Sequence, residues 1–214
     1  MGHQNYNTKK GFCQVLLQKV KKICKRDGIV IVNRENGEQW LGAPGAIYPV
    51  FGIGLCERTV CTLFDLPEDD ENRTYLELPE EELISDGVTL DNLPEDGSVE
   101  EPLAPLCLTL GLGGRSFVTL CGARKTDLVL LADADNTAPL KDCDELRFYA
   151  RQNISGDWYI VAKSGFVVVG VMAAEKIPDS AFAALNLISA NVVSVGDVRY
   201  ARGTLFKDAT GGEK

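Results

Sequence analysis

The feature of this sequence that most constrains its fold is a hairpin-like pattern that occurs twice. The stretch "GEQWLGAPGAIYPV" (37–50) returns in altered form as "GDWYIVAKSGFVVV" (156–169). Each copy has a glycine turn, an aromatic residue at the start of the return strand and then an apolar run, which is typical of a β-hairpin. A gapless shift of 119 residues pairs Gly37 with Gly156, Glu38 with Asp157, Trp40 with Tyr159, Leu41 with Ile160, Ala43 with Ala162, Ile47 with Phe166 and Val50 with Val169. Duplication and the general likeness of hairpins both explain the match.

Apolar periodicity predicts the remaining elements. A helix is expected over 11–28, where Phe12, Val15, Leu16, Val20 and Ile23 recur at helical spacing, and a second over 179–191. Short β-rich runs are expected at 45–52, 58–66, 105–111, 116–122, 127–133 and 165–173. The predicted fold class is α+β, mainly antiparallel sheet with two helices and two diverged β-rich halves. The expected division is 1–64, an acidic insert at 65–105, a second half at 106–200 and a tail at 201–214.

Charge is strongly segregated along the chain. The net charge is −9, but residues 65–101 carry fifteen acids and one base, so the rest of the chain carries a net charge of +5. This acidic segment, with its prolines and few aromatics, is predicted to be a long insert or linker. Three roles stay open for it: a solvated loop, a mimic of nucleic-acid phosphates, or a clamp on the basic surface of the protein itself.

Two patterns indicate sites for anions. The predicted first helix carries a basic face, which suits either a helix C-terminus or nucleic-acid phosphates, made of Lys19, Lys21, Lys22, Lys25 and Arg26. The stretch "GLGGR" follows a strand and is either a tight turn or a backbone nest for an anion, made of Gly111, Gly113, Gly114 and Arg115.

Catalytic and metal chemistry find little support in the sequence. The one histidine is His3, so no triad or histidine-ligated metal site can be built in the body of the chain. The seven cysteines form no C-x-x-C pair and are interpreted as small buried residues of a reducing cytoplasm. Asp133 and Asp135 remain candidates for carboxylate chemistry or a hard cation. We expect no cofactor, no metal and no enzymatic activity.

The chain is expected to lie outside the membrane. No apolar run reaches the roughly 18 residues of a membrane span, and the longest is "GFVVVGVMAA" at 165–174. The first residues lack the apolar core of a secretory signal. The expected location is therefore the cytoplasm.

Two resemblances accompany these observations. The stretches "IVIVNRENGEQWLGAPGAIYPVFG", "TVCTLFDLPED" and "RFYARQNISGDWYIVAKSGFVVVGVM" resemble a group of uncharacterised phage and prophage proteins, which implies a bacterial host cell. The lysine-faced helix, the paired hairpins and the low isoelectric point resemble DNA sliding clamps, whose unit of a basic helix and antiparallel strands is duplicated within the chain.

These patterns lead to competing hypotheses about function. The first is a non-enzymatic phage accessory protein, clamp-like in DNA replication, with DNA or a replication protein as partner and a homo-oligomeric state. The second is an inhibitor of a host defence protein that acts as a DNA mimic or as a sponge for a nucleotide signal. A structural, virion-associated role and a carboxylate enzyme complete the set.

Overall fold

Ten strands and four α-helices make up the part of the chain that a computed structural model describes, residues 15–66, 75–94, 100–125 and 128–175. The helices are α1 (Leu17–Asp27), α2 (Glu57–Phe64), α3 (Glu80–Ser85) and α4 (Ala134–Thr137), which a 3-10 turn (Ala138–Leu140) extends. The strands are β1 (Ile29–Asn33), β2 (Gln39–Ala43), β3 (Ala46–Val50), β4 (Tyr75–Pro79), β5 (Glu101–Leu112), β6 (Arg115–Gly122), β7 (Val129–Asp133), β8 (Leu146–Gln152), β9 (Trp158–Ser164) and β10 (Val167–Ala173).

The strands form one sheet in the order β4-β1-β2-β3-β10-β9-β8-β5-β6-β7. Only β4 and β1 pair in parallel, so the predicted α+β class with mainly antiparallel pairing is confirmed. Beyond β10, the amide of Glu175 donates to the carbonyl of Leu131 in β7 at 2.9 Å. This bridge closes a ring of backbone pairing through β5 to β10, while β1 to β4 extend from the ring as an open sheet.

The two copies of the sequence pattern form equivalent three-stranded meanders, β1-β2-β3 and β8-β9-β10. Their first turns share the same hydrogen bonds at the predicted positions. The amide of Arg34 donates to the carbonyl of Glu38 at 2.9 Å, and the amide of Asn153 donates to Asp157 at the same distance. Gly37 and Gly156 have φ values of 82° and 79°, a left-handed conformation that glycine adopts without strain.

The second turns differ, which corrects the gapless alignment. Ala43 pairs with Ala46, but its counterpart Ala162 pairs with Gly170, because the β9–β10 hairpin is longer and contains a bulge. Ile47 therefore corresponds to Val171 and not to Phe166. Ile47 and Val171 also face each other where β3 pairs with β10, so a pseudo-twofold axis passes between them and relates the meanders.

A helix precedes each meander. The segment before β8 contains α4 and the 3-10 turn, and it packs against α1, which precedes β1. The amide of Leu16 donates to the carbonyl of Pro139 at 2.9 Å, which joins the two helical segments. The first part of the predicted first helix (11–14), the predicted helix at 179–191 and the predicted tail (201–214) lie outside the described residues.

The strand expected at 58–66 is wrong, since these residues form most of α2. Val60, Cys61 and Phe64 fall on one side of a helix and are buried there. Periodicity cannot separate a short apolar run of this kind from a strand, so the environment decides the structure. The expectation that all cysteines are reduced fails for Cys143, which is disulfide-bonded, whereas Cys56 is free and exposed.

The central strands are buried on both faces, and different parts of the chain cover them. On one face, α1 and α2 pack Val20, Ile23 and Phe64 into the larger core. On the other face, part of the acidic segment lies across the sheet. Leu90 is buried there, and Leu83 and Val88 pack against the smaller core, which contains Val30, Val32, Trp40, Ile47, Tyr159, Val161, Val168 and Val171.

The described part of the acidic segment is therefore a structural part of the sheet and not a separate linker. It supplies β4, α3 and the covering loop, and all described residues belong to one compact unit. The covering loop (86–94) is fastened by buried charges. Glu100 accepts hydrogen bonds from Arg151 Nε at 2.7 Å and from Lys163 Nζ at 2.6 Å, and Arg151 also donates to the carbonyls of Thr89, Asp91 and Asn92.

We expect Arg151→Ala to lower the free energy of unfolding by about 3–5 kcal/mol, because it removes one of the two cations paired with the half-buried Glu100 and the donor to the carbonyls of Thr89 and Asp91. Arg151 is 2 % exposed, and this substitution also removes a large part of the fastening of the covering loop. The matched control is Arg147→Ala on the same strand. It removes an exposed side chain and should change the free energy of unfolding by no more than about 0.5 kcal/mol. Urea unfolding of both variants measures the difference, and equal stabilities would contradict the fastening role.

Candidate nucleic-acid interface

The basic face of α1 is oriented by its buried side. Val20, Ile23 and Cys24 face the sheet, and the Cys24 thiol donates to the carbonyl of Gly42 in β2 at 2.9 Å. Burial raises the pKa of this thiol to about 12, so it is a packed and unreactive group at neutral pH. The helical period then turns the basic side chains predicted from sequence towards solvent. Lys19, Lys22, Lys25 and Arg26 are exposed, and Lys21 is half-buried.

Asp65 holds two of the lysines. Its carboxylate accepts from Lys21 Nζ at 2.8 Å and from Lys25 Nζ at 3.1 Å. It follows α2 in a left-handed conformation, with φ at 58°, and this conformation carries its side chain to α1. The hydrogen bond from Lys21, with that from Lys25, holds the pKa of Asp65 below its usual value.

A second group of charges lies at the C-terminal end of α1. Arg26 donates to Asp27 at 2.8 Å and to Asp133 at 3.2 Å, and it forms a further short ion pair with Asp135. Lys22 reaches Asp135 at 3.4 Å. The carboxylates proposed for chemistry thus neutralise the helix, and Asp133 also accepts from the amide of Asp135 at 2.9 Å as the cap of α4.

Arg115 belongs to the same group. Its guanidinium donates to Asp27 at 3.2 Å and to Asp133 at 3.5 Å. The glycines before it form the two-residue turn between β5 and β6, where Gly113 and Gly114 have φ values of 58° and 79°, as a tight hairpin of this type requires. Gly111 lies within β5 opposite Ser116. The tertiary structure thus brings Arg115 to Asp27, which lies 88 positions earlier in the sequence.

A cavity of about 300 Å³ opens beside this group. Arg115, Asp27, Asp133, Asn136 and Glu175 contribute to its lining. Two of its three carboxylates are already paired with arginine, so the cavity does not present a free pair of acids for general acid–base chemistry. Among the described residues, no group of His, Cys, Asp and Glu side chains has the arrangement of a metal site.

Several of the described carboxylates of the acidic segment pair with basic groups of the same chain. Arg34 Nε donates to Glu80 at 2.8 Å, and the same guanidinium also pairs with Asp91 and, at 3.0 Å, with Glu38. A cleft of about 500 Å³ lies around this arginine, with Glu35 and Glu81 at its walls. The sequence left three roles open for the acidic segment. The contacts of Asp65, Glu80, Asp91 and Glu100 fit one of them, a clamp on the protein's own basic groups.

Sequence reasoning identified the basic residues but missed their counter-ions. In the sequence, Asp65 belongs to the acidic insert and Asp27 to no motif. Nothing in the residues around either one indicates which basic side chain it contacts. Asp65 is 44 residues from Lys21, and the contact exists only because α2 packs beside α1.

Comparison with known proteins adds no relative. No protein-family model, curated protein or solved structure matches this chain. Within the described residues, no helix has the length and apolar character that a membrane span needs.

We expect acid to weaken the fold partly through Asp65. A carboxylate whose pKa is lowered by folding stabilises the protein above its unfolded pKa, near 3.8, and loses that contribution as the pH falls through the lower folded value. Asp65→Asn should therefore lose less stability than the wild type between pH 5 and pH 2. Asparagine tolerates the left-handed backbone, so the substitution removes charge and little else. Urea unfolding across this pH range measures the effect, and identical pH profiles would count against it.

Proposed function

We propose that this protein is a non-enzymatic nucleic-acid-binding accessory protein whose contact surface is the exposed face of α1. The supporting observation is the way its basic side chains are held. Lys22 and Lys25 have side chains 68 % and 50 % exposed, and their carboxylate partners are themselves at the surface. Exposed ion pairs contribute only about 0–1 kcal/mol, so a phosphate can replace Asp65 or Asp135 at little cost.

The contrast with the buried cations supports this assignment. Arg151 and Lys163 are almost fully buried and have carboxylate and carbonyl partners on several sides. A ligand could reach them only by lifting the covering loop from the sheet. Cations that serve the fold are thus separate from those available to a ligand, and α1 carries four exposed basic residues within eleven positions: Lys19, Lys22, Lys25 and Arg26.

The pseudo-twofold arrangement supports a clamp-like role in particular. Each meander follows a helical segment, and the two helical segments lie side by side. This matches the unit of helix and antiparallel strands that sliding clamps duplicate. It differs in that α4 is short and carries acidic Asp135 in place of a basic face, so of these two helical segments only α1 contributes positive charge.

Phosphate contacts predict a steep dependence on salt. Each phosphate that a lysine neutralises contributes about −0.9 to the slope of the logarithm of the binding constant against the logarithm of salt concentration. Binding of a short labelled DNA duplex, followed by fluorescence anisotropy across a salt series, measures that slope. No binding at low salt would contradict the proposal.

We expect Lys22→Gln combined with Lys25→Gln to weaken binding and to reduce the salt slope by about 2. Arg124→Gln is the matched control, because it removes an exposed charge at the opposite end of β6 from Arg115. Asp65→Asn should instead tighten binding by up to about fivefold, since it releases Lys21 and Lys25. Equal losses in the double variant and in the control would show that α1 is not the contact surface.

A further inference from the structure

Exposed apolar side chains concentrate at one end of two neighbouring strands. Phe166 and Val167 form the tip of the β9–β10 hairpin, and Phe166 is 92 % exposed. Because β3 runs antiparallel to β10, the end of β3 lies at the same end of the sheet, where Phe51 is 52 % exposed and Ile53 follows it.

A third segment adds to this surface. Leu93 is 75 % exposed in the covering loop, and its neighbour Asn92 accepts a hydrogen bond from the amide of Val168 at 2.8 Å. Lys163 donates to the carbonyl of Asn92 at 2.7 Å. We call these five side chains the Phe166 patch: Phe51, Ile53, Leu93, Phe166 and Val167. They account for five of the nine large hydrophobic side chains that are exposed in the described part of the chain.

The hairpin that carries Phe166 is longer than the corresponding hairpin of the first meander. In the first meander, the turn after β2 comes directly at Pro44 and Gly45, and the carbonyl of Gly45 accepts from the amide of Ala173 at 2.9 Å. In the second meander, Lys163 and Ser164 lengthen the hairpin and carry its tip further out. Packing within the repeat therefore gives no reason for an aromatic residue at this tip.

We propose that the Phe166 patch is a homodimer interface, in which two copies of this chain meet about a twofold axis. An aromatic side chain presents roughly 150–250 Å², so the five residues offer on the order of 500 Å² of apolar surface. A standard interface buries about 800 Å² per partner, of which about 60 % is apolar. The patch supplies the apolar share that such a dimer needs.

The charges beside the patch are self-complementary. The amide of Gly165 lies 3.5 Å from the carbonyl of Glu145, which places this exposed acid beside the tip. Arg147, two residues further on, is exposed opposite Lys163. In a twofold interface, each contact occurs twice, so Arg147 of one protomer can face Glu145 of the other in both directions.

The anchoring of the patch favours a specific interface. Leu93 is held by the loop that Arg151, Lys163 and Glu100 fasten to the sheet, and Phe166 is held at the tip of the β9–β10 hairpin, where Val167 pairs with Ser164. Aromatic and aliphatic side chains on rigid supports lose little conformational freedom on binding, which is the usual property of residues that dominate interface energetics.

The test is the mass of the full chain in solution, by light scattering and by sedimentation equilibrium from about 1 to 100 µM. We expect a dimer whose dissociation constant depends only weakly on salt, because burial of apolar surface drives it and exposed ion pairs such as Arg147–Glu145 contribute little. Phe166→Ser should weaken the dimer by about tenfold or more, and Leu93→Ser should weaken it independently. Both side chains are exposed in the protomer, so both variants should fold.

Ile154→Ser is the matched control, because Ile154 is also 75 % exposed but lies at the other turn of the same meander, between β8 and β9. It should leave the dimer intact. A monomer at all concentrations would overturn the proposal, as would equal dimerisation of the wild type and Phe166→Ser. Weakening by the control alone would place the interface elsewhere. The DNA titration with α1 variants tests the proposed function separately, since no residue of the patch belongs to α1.

Discussion

The structure depends on a sheet that is apolar on both faces. Strands such as β1 and β10 are rich in valine and isoleucine with almost no polar alternation, so neither face can be left in water. One face is covered by α1 and α2, and the other by the loop that follows α3. The positions of the Glu100 cluster and of the α1 ion pairs follow from how these two covers are attached.

The two covers are attached by different kinds of ion pair. The acidic loop is fastened by Glu100 to Arg151 and Lys163, all largely shielded from water, with backbone carbonyls as further acceptors. Burying such charges is costly unless every one is paired, so this network fixes the loop in one place. On the opposite face, α1 is held mainly by apolar packing, and its lysines meet Asp65 and Asp135 at the surface. Charge on α1 therefore remains available to a ligand, whereas charge under the loop does not.

Internal symmetry explains much of the architecture, and its departures coincide with the proposed binding surfaces. The axis between Ile47 and Val171 relates two meanders with the same first turn. The helical segments differ, because α1 is long and basic whereas α4 is a single acidic turn. The second turns also differ, because the longer hairpin exposes Phe166. The first departure gives the face proposed for nucleic acid, and the second gives the proposed dimer interface.

The sequence by itself determined the elements whose signals are local. The glycine turns at Gly37 and Gly156, the helical spacing of Val20 and Ile23, and the unbroken apolar run of β10 each act within a few residues, so the α+β class could be predicted. Contacts across the fold could not be predicted, because no local pattern specifies a distant partner. Only the tertiary structure brought Asp65 to Lys21, made a helix of the segment around Val60, and turned an apparently separate acidic segment into the cover of an apolar sheet. For the Val60 segment and the acidic cover, burial against a distant part of the sheet outweighed the weak preference of the local sequence.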